Sequence, residues 1–191
     1  MNTIFQYDEK LFIQLQNFVL KNSWLDKPLV FLAQYLIYAL PLLMLVLWFW
    51  SVRSKKATFK SVLASIVAWL GFAKLIAVLV NRPRPDLSLL QGKELLFHRP
   101  DTSFPSDHAT MLFAFALSMR LYGFKTLGNI LFVVAVLVSV SRVLVGVHYP
   151  FDVVGGAFLG CAVAYFFWLI REYIDKYLTN PIVGFLKRFH L

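Results

Sequence analysis

The chain has 191 residues, 59% of them hydrophobic and only 15% charged, a composition too apolar for a domain dissolved in water and long enough for one compact helical bundle. The formal net charge of +9 comes without a basic helix or an aromatic-plus-basic module, so it does not point to nucleic acid. The single cysteine, Cys161, lies in an apolar stretch, which excludes a disulfide framework and a cysteine-rich metal site and leaves a packing role.

Residues 1–27 are mixed in character. Ile4, Phe5, Leu11, Phe12, Leu15, Phe18, Val19 and Leu20 fall roughly on one helical stripe, which predicts an amphipathic helix lying in the membrane interface rather than a span. A basic start, an apolar core and a small-residue cleavage site are all missing, so this segment is expected to be retained. From Pro28 to Val52 no residue is charged, longer than the roughly 20 residues that cross a hydrocarbon core. A second apolar segment runs from about Ser61 to Val80, interrupted by Lys74, and a third from about Ala109 to Met119 is short unless Ser106 to His108 begin its helix. A fourth runs from Thr126 to Ser141 and past Arg142 to about Val147, and a fifth from Val153 to Ile170 is uncharged. The expected fold is all-α: a polytopic membrane bundle of about five transmembrane helices plus the N-terminal amphipathic helix, forming one domain over residues 1–191. Within the fifth span Gly155, Gly156 and Gly160 read as close-packing positions, and Trp48, Trp50 and Trp168 as an interfacial belt.

Five alternating spans sort the charges. One side holds ten basic residues, including Arg53, Lys55, Lys56, Lys60, Arg120 and Lys125, against only Glu172 and Asp175, a net +8. The other side holds nine basic and eight acidic residues, a net +1. Basic residues accumulate in cytoplasmic loops, so the first side is expected to be cytoplasmic and the net charge becomes a topology signal.

Three polar clusters then fall together on the opposite, extracytoplasmic side. They are Arg82-Pro83-Arg84-Pro85, Ser103-Phe104-Pro105-Ser106-Asp107-His108, and Ser141-Arg142 through His148-Tyr149-Pro150-Phe151-Asp152. Ionisable groups at span ends are costly, so their gathering at one end of three helices points to a functional site. Guanidinium forks match phosphate oxygens, and histidines can attack phosphorus or transfer protons. Zinc is the chemical competitor, since His and Asp are common ligands. The adjacent arginines oppose a cation, and no metal or other cofactor is expected.

The segments Arg84-Pro85, Pro105-Ser106-Asp107-His108 and Ser141-Arg142-x5-His148-Tyr149-Pro150-x-Asp152 resemble, in order, the three motifs of the phosphatidic acid phosphatase type 2 superfamily. They lie in a motif region spanning residues 74–152. The resemblance implies a membrane lipid phosphatase with His148 as nucleophile, forming a phosphohistidine, and Asp152 accepting a hydrogen bond from its other ring nitrogen. It makes His108 the proton donor to the leaving oxygen, and Arg84, Ser106 and Arg142 the ligands of the phosphoryl oxygens. The family lysine lies seven residues before the motif arginine, a position held here by Ala77. Lys74 or Arg82 is the candidate replacement, and both join the expected phosphate ligands. Asp107 stands where many relatives have glycine and is included with that group. The Pro-Ser-Asp-His form is similar to the bacterial branch acting on undecaprenyl diphosphate, which implies a bacterial plasma membrane protein whose partners are its lipid substrate and membrane lipids. Alternatives of the same fold are a phosphatidylglycerophosphate or lipid A phosphatase or a phosphotransferase. A noncatalytic anion transporter is the alternative of another class, though anion binding alone needs no oriented imidazole. His98 and Arg99 in the long outer loop are candidate headgroup contacts.

Overall fold

The structure, a computed structural model, describes residues 3–20, 22–86, 95–96 and 101–187, and these contain helices and no strands. The candidate headgroup contacts His98 and Arg99 lie outside the described residues.

Helix α1 is Thr3–Leu20. It docks on the bundle through Asp8, Phe12, Gln16 and Val19, all buried, while Tyr7, Leu11, Ile13 and Phe18 remain exposed. The docked stripe is therefore half polar, not the apolar stripe of the sequence reading. Both polar residues find protein partners. Gln16 Nε2 donates to the carbonyls of Val143 and Leu144 at 2.7 and 3.2 Å, at the C-terminal end of a helix, where carbonyls run short of intrahelical donors.

Helix α2 runs Ser23–Trp50, roughly 42 Å at 1.5 Å per residue. Its turns widen at Phe31–Tyr35 and tighten at Leu36–Tyr38 just ahead of Pro41. That proline has no N–H for the carbonyl of Ile37, and its ring crowds the same oxygen. Helix α3, Val52–Val80, follows after Ser51 alone, whose hydroxyl accepts from Ser54 N at 3.0 Å and caps the new helix. A widened turn at Val67–Ala73 ends immediately before Lys74. Asn81 closes the helix at φ 45, the left-handed geometry that Asn tolerates better than most residues.

Helix α4, Asp107–Leu121, has 15 residues and is buried on nearly every side, packed among α3, α5 and α6. Helices α5, Lys125–Leu144, and α6, Pro150–Leu169, complete the bundle. Among the described residues four helices, α2, α3, α5 and α6, are long and apolar enough to cross a membrane. The third expected span, α4, is too short to be one of them. It is nonetheless the axis of the bundle, so the chain passes between the two ends five times. A surrounded helix needs no lipid-facing length of its own. Outward-facing Leu42, Phe49, Val78, Leu79, Val133 and Phe158 are exposed, which suits helices with hydrocarbon for solvent.

The glycines of α6 seat α4 against it. A Cβ on Gly160 would lie 2.3 Å from the Thr110 carbonyl oxygen, and one on Gly156 would lie 2.6 Å from that of Ser106. A Cβ on Gly155 would lie 2.5 Å from the Phe104 ring. The chain continues past α6 into a further helix, α7 (171–187), beyond the last element expected from the sequence. Asp175 on α7 takes a 2.9 Å ion pair from Lys60 of α3.

Candidate active site

The three motif segments meet at one end of the bundle. The carboxylate of Asp152, in the first turn of α6 and wholly buried, joins them. Its Oδ1 accepts from Arg82 Nη1 at 2.8 Å. Its Oδ2 accepts from Tyr149 N at 2.8 Å and from the Ser103 hydroxyl. Its backbone carbonyl takes Ser106 N–H at 2.9 Å. A single residue thus caps α6 and ties it to the chain after α3 ends and before α4 begins.

His148 lies in the link between α5 and α6, bent at Gly146, whose φ is 85. The ring is 2% exposed. Its Nδ1 is 2.9 Å from the Ser103 carbonyl oxygen and 3.6 Å from Asp152 Oδ2. The sequence reading gave that hydrogen bond to Asp152. The structure gives it to Ser103, because Asp152 Oδ2 is already occupied by Tyr149 N and the Ser103 hydroxyl. Three oxygens face Nδ1: the Ser103 carbonyl, the Asp152 carboxylate and, at 3.4 Å, the Ser103 hydroxyl, whose own hydrogen goes to Asp152. All three can only accept, so Nδ1 holds the proton and Nε2 keeps its lone pair. Burial lowers the pKa of His148 from its ordinary value; the Asp152 carboxylate works against this, while Arg142 and Arg84 add to it. The ring is therefore neutral near pH 7.

Nε2 faces Arg84, whose Nη1 is 3.5 Å away. Arg84 is fixed by Nη1 donation to the Val147 carbonyl at 2.7 Å and by Nε donation to Asp101 at 2.6 Å. Arg84 also lines a cavity of about 200 Å³ together with His108, Arg142, Gln34 and Tyr38, closed by Ile37, Leu96 and Val147. The structure thus brings Arg84, His108 and Arg142 to one polar cavity beside His148. Arg142 reaches across to the Ala33 carbonyl at 3.3 Å, in the widened turn of α2. Ser106 is the N-cap residue of α4 with extended geometry, but its side chain makes no capping bond. Its hydroxyl is buried without a protein partner among the described residues, at a helix start where backbone N–H groups favour an anion.

Three expected phosphate ligands, Arg82, Lys74 and Asp107, are engaged elsewhere. Arg82 does not line the cavity; it is 5% exposed, pinned at Nη1 between Asp152 and Asp8 of α1 (2.7 Å), with its guanidinium 3.9 Å from the Tyr149 ring centre and 4.6 Å from that of Phe5. Two carboxylates and two rings outcompete the cavity for it. Lys74 donates to Asp107 Oδ2 at 2.7 Å, so the residue in the family's glycine position and the displaced lysine pair with each other at a half-exposed site. Among the described residues no group of three His, Cys, Asp or Glu side chains is placed to hold a metal ion.

Ser103, Asp8, Gln34 and Tyr38 were not singled out by sequence reasoning as site residues. Ser103 sits two residues ahead of Pro105 in a motif already read as a turn, and that adjacency was the available signal. Asp8 offered a weaker one, as an acidic residue four before Phe12 on an otherwise apolar stripe. Gln34 and Tyr38 lie in the uncharged run from Pro28 to Val52 and carried none.

Residues 58–176 match the family model described as the PAP2 superfamily. The chain is 34% identical over 148 residues to the putative undecaprenyl-diphosphatase YbjG of Escherichia coli (strain K12), covering 76% of this chain and 74% of that one. It is 33% identical over 159 residues to undecaprenyl-diphosphatase BcrC of Bacillus subtilis (strain 168), covering 81% of each. Among solved structures it resembles a transmembrane PAP2 type phosphatidylglycerolphosphate phosphatase from Bacillus subtilis, with a TM-score of 0.69 over 93% of this chain and 90% of that one. At 23% identity that likeness is one of fold.

Proposed function

The chain belongs to the PAP2 superfamily, and from that premise we propose that it hydrolyses undecaprenyl diphosphate to the monophosphate in a bacterial plasma membrane, through a phosphohistidine at His148 on the extracytoplasmic side. It is a multi-pass membrane phosphatase acting on a lipid phosphate. The diphosphate assignment draws on relatives named undecaprenyl-diphosphatases that align over three quarters or more of this chain. The orientation draws on the charge asymmetry of the two ends. The observation that carries the mechanism is the imidazole whose Nδ1 faces only oxygen acceptors and whose Nε2 stands 3.5 Å from Arg84 beside a polar cavity.

In this reading the terminal phosphoryl group enters between Arg84 and Arg142, with the Ser106 hydroxyl and the start of α4 as further donors. Nε2 of His148 attacks phosphorus, forming the N–P bond as the bridging P–O bond breaks. His108 gives its proton to the departing oxygen of the lipid phosphate. The ring becomes cationic, and Asp152, 3.6 Å from Nδ1, offsets that charge while the Ser103 carbonyl keeps the ring in place. Water, deprotonated by His108, then attacks phosphorus, releasing inorganic phosphate and restoring both histidines. The arginines supply the charge stabilisation that a metal supplies elsewhere, so we assign no metal. Arg82, Lys74 and Asp107 stay outside the ligand set.

The deciding experiment is phosphate release by the purified protein, with and without exhaustive EDTA, from undecaprenyl diphosphate, undecaprenyl phosphate, phosphatidylglycerophosphate and lipid A. Highest kcat/KM on undecaprenyl diphosphate, unchanged by EDTA, is expected. Preference for another headgroup overturns the substrate assignment, and loss with EDTA restored by one divalent ion overturns the mechanism.

A further inference from the structure

Helix α1 brings a wholly buried carboxylate to a helix whose docking could have been apolar throughout. Asp8 is 0% exposed. Its Oδ1 accepts from Phe151 N at 3.0 Å, and its Oδ2 is 2.7 Å from Arg82 Nη1. Burying a carboxylate costs more than burying an apolar residue of similar size, and such pairs are a poor route to stability alone. What the pair does supply is a fixed place for the guanidinium. The same Nη1 that meets Asp8 also meets Asp152 Oδ1 at 2.8 Å, and the stacked rings of Tyr149 and Phe5 leave the guanidinium little room to tilt.

The orientation of the Asp152 carboxylate matters because its other oxygen has three neighbours to serve. Oδ2 takes Tyr149 N and the Ser103 hydroxyl and faces His148 Nδ1. Rotation about the carboxylate axis would release the Ser103 hydroxyl, and with it the loop whose carbonyl holds the imidazole. We propose that Asp8 is a positioning residue for phosphoryl transfer: by fixing Arg82 it fixes the rotation of Asp152, and through Ser103 the line along which His148 attacks. The inference rests on His148 being the nucleophile. It makes α1 part of the catalytic assembly rather than a membrane anchor only, although Asp8 itself touches no substrate.

The test is rapid-quench measurement of phosphohistidine formation by the full-length protein, with an activated aryl phosphate, for the unsubstituted chain, Asp8→Ala, Asp8→Asn, Arg82→Ala and the Asp8→Ala/Arg82→Ala double variant. A misplacement of about 1 Å costs up to roughly a hundredfold in rate. Asp8→Ala should therefore slow phosphoenzyme formation by about ten- to a hundredfold, with unchanged amplitude per mole and KM within about twofold. Asp8→Asn, which keeps an acceptor for Phe151 N–H, should fold like the unsubstituted chain and lie between the two. The proposed path from Asp8 to Asp152 runs through Arg82, so the double variant should be no slower than Arg82→Ala. The separate contact to Phe151 N is read out by comparing Asp8→Asn, which keeps it, with Asp8→Ala. Lowered amplitude at an unchanged rate constant would show a purely structural role and overturn the inference, as would unchanged rates in both Asp8 variants or losses that multiply in the double variant. If the unsubstituted chain forms no phosphohistidine, the nucleophile assignment fails first and this inference falls with it.

Discussion

At the motif end of the bundle the charges are held by buried carboxylates together with rings, and at the opposite end by rings and one part-exposed carboxylate. Asp8, Arg82 and Asp152 are 0%, 5% and 0% exposed, and Arg82 meets both carboxylates. Lys55 and Lys60 are also buried, but Lys55 lies over the Trp48 ring and Lys60 over the Tyr122 ring, 4.4 Å from its centre, with Arg53 over Phe124. The carboxylate there, Asp175, is 33% exposed. Among the described residues every buried carboxylate belongs to the motif end. An aromatic face tolerates a sliding cation and a long side chain that reaches for water, which suits anchoring at a membrane surface. A buried carboxylate with several donors fixes both distance and direction, which suits chemistry. Tyr122 belongs to the first kind: burial pushes its hydroxyl up to about 12, so it stays neutral beneath Lys60.

The contrast breaks most sharply at the nucleophile. His148→Ala should remove turnover of every substrate, a loss on the order of 10⁴ or more, and should leave no phosphoenzyme on a denaturing gel. Appreciable activity of that variant on an activated ester, with none in His108→Ala, would move the nucleophile to His108.

The next largest effect separates the two histidines. General acid catalysis contributes about a hundred- to ten-thousandfold, so His108→Ala should lose that much on an alkyl phosphate and clearly less on a nitrophenyl ester, whose leaving oxygen needs little protonation. Equal losses on both would remove His108 from the role of acid.

A third expectation uses pH. His148 attacks only when neutral, and burial holds its pKa below the ordinary 6.5, so activity is gained as pH rises through that lowered value. The acidic limb of kcat/KM should therefore have its midpoint below pH 6.5. The same shift acts on stability. Below pH 6.5 the unfolded chain takes the proton first, so the stabilisation from a neutral ring is present above pH 6.5 and lost as pH falls through the folded pKa. A limb centred at or above 6.5 would contradict the buried, arginine-flanked ring.

The smallest effect belongs to the opposite end. Lys60→Ala should leave kcat/KM within about twofold and, because its partner Asp175 is a third exposed, should lower stability by no more than about 1 kcal/mol in thermal unfolding. A loss of activity comparable to that of a motif-end variant would show that the two ends are not separable.

Much of this protein was determined by local pattern. The uncharged run after Pro28, the glycines of α6 and the order of the three motifs all act over one helix or one turn, where hydrocarbon solvent and close backbone approach leave few choices. Those features placed His108, Arg84, Arg142 and His148 correctly at one end. What the tertiary structure alone decided is which partner each polar group takes. Lys74 goes to Asp107, Arg82 to Asp8 and Asp152, and His148 Nδ1 to the Ser103 carbonyl, pairings 33, 74, 70 and 45 residues apart in sequence. Spacing cannot rank such competitors. A buried donor takes whichever acceptors the packing of α1, α4 and α6 brings within about 3 Å, and leaving one unmet costs roughly 1–3 kcal/mol. Helix α4 makes the same point for the fold: at 15 residues it reads as too short to span, and only the helices around it make it the axis of the bundle.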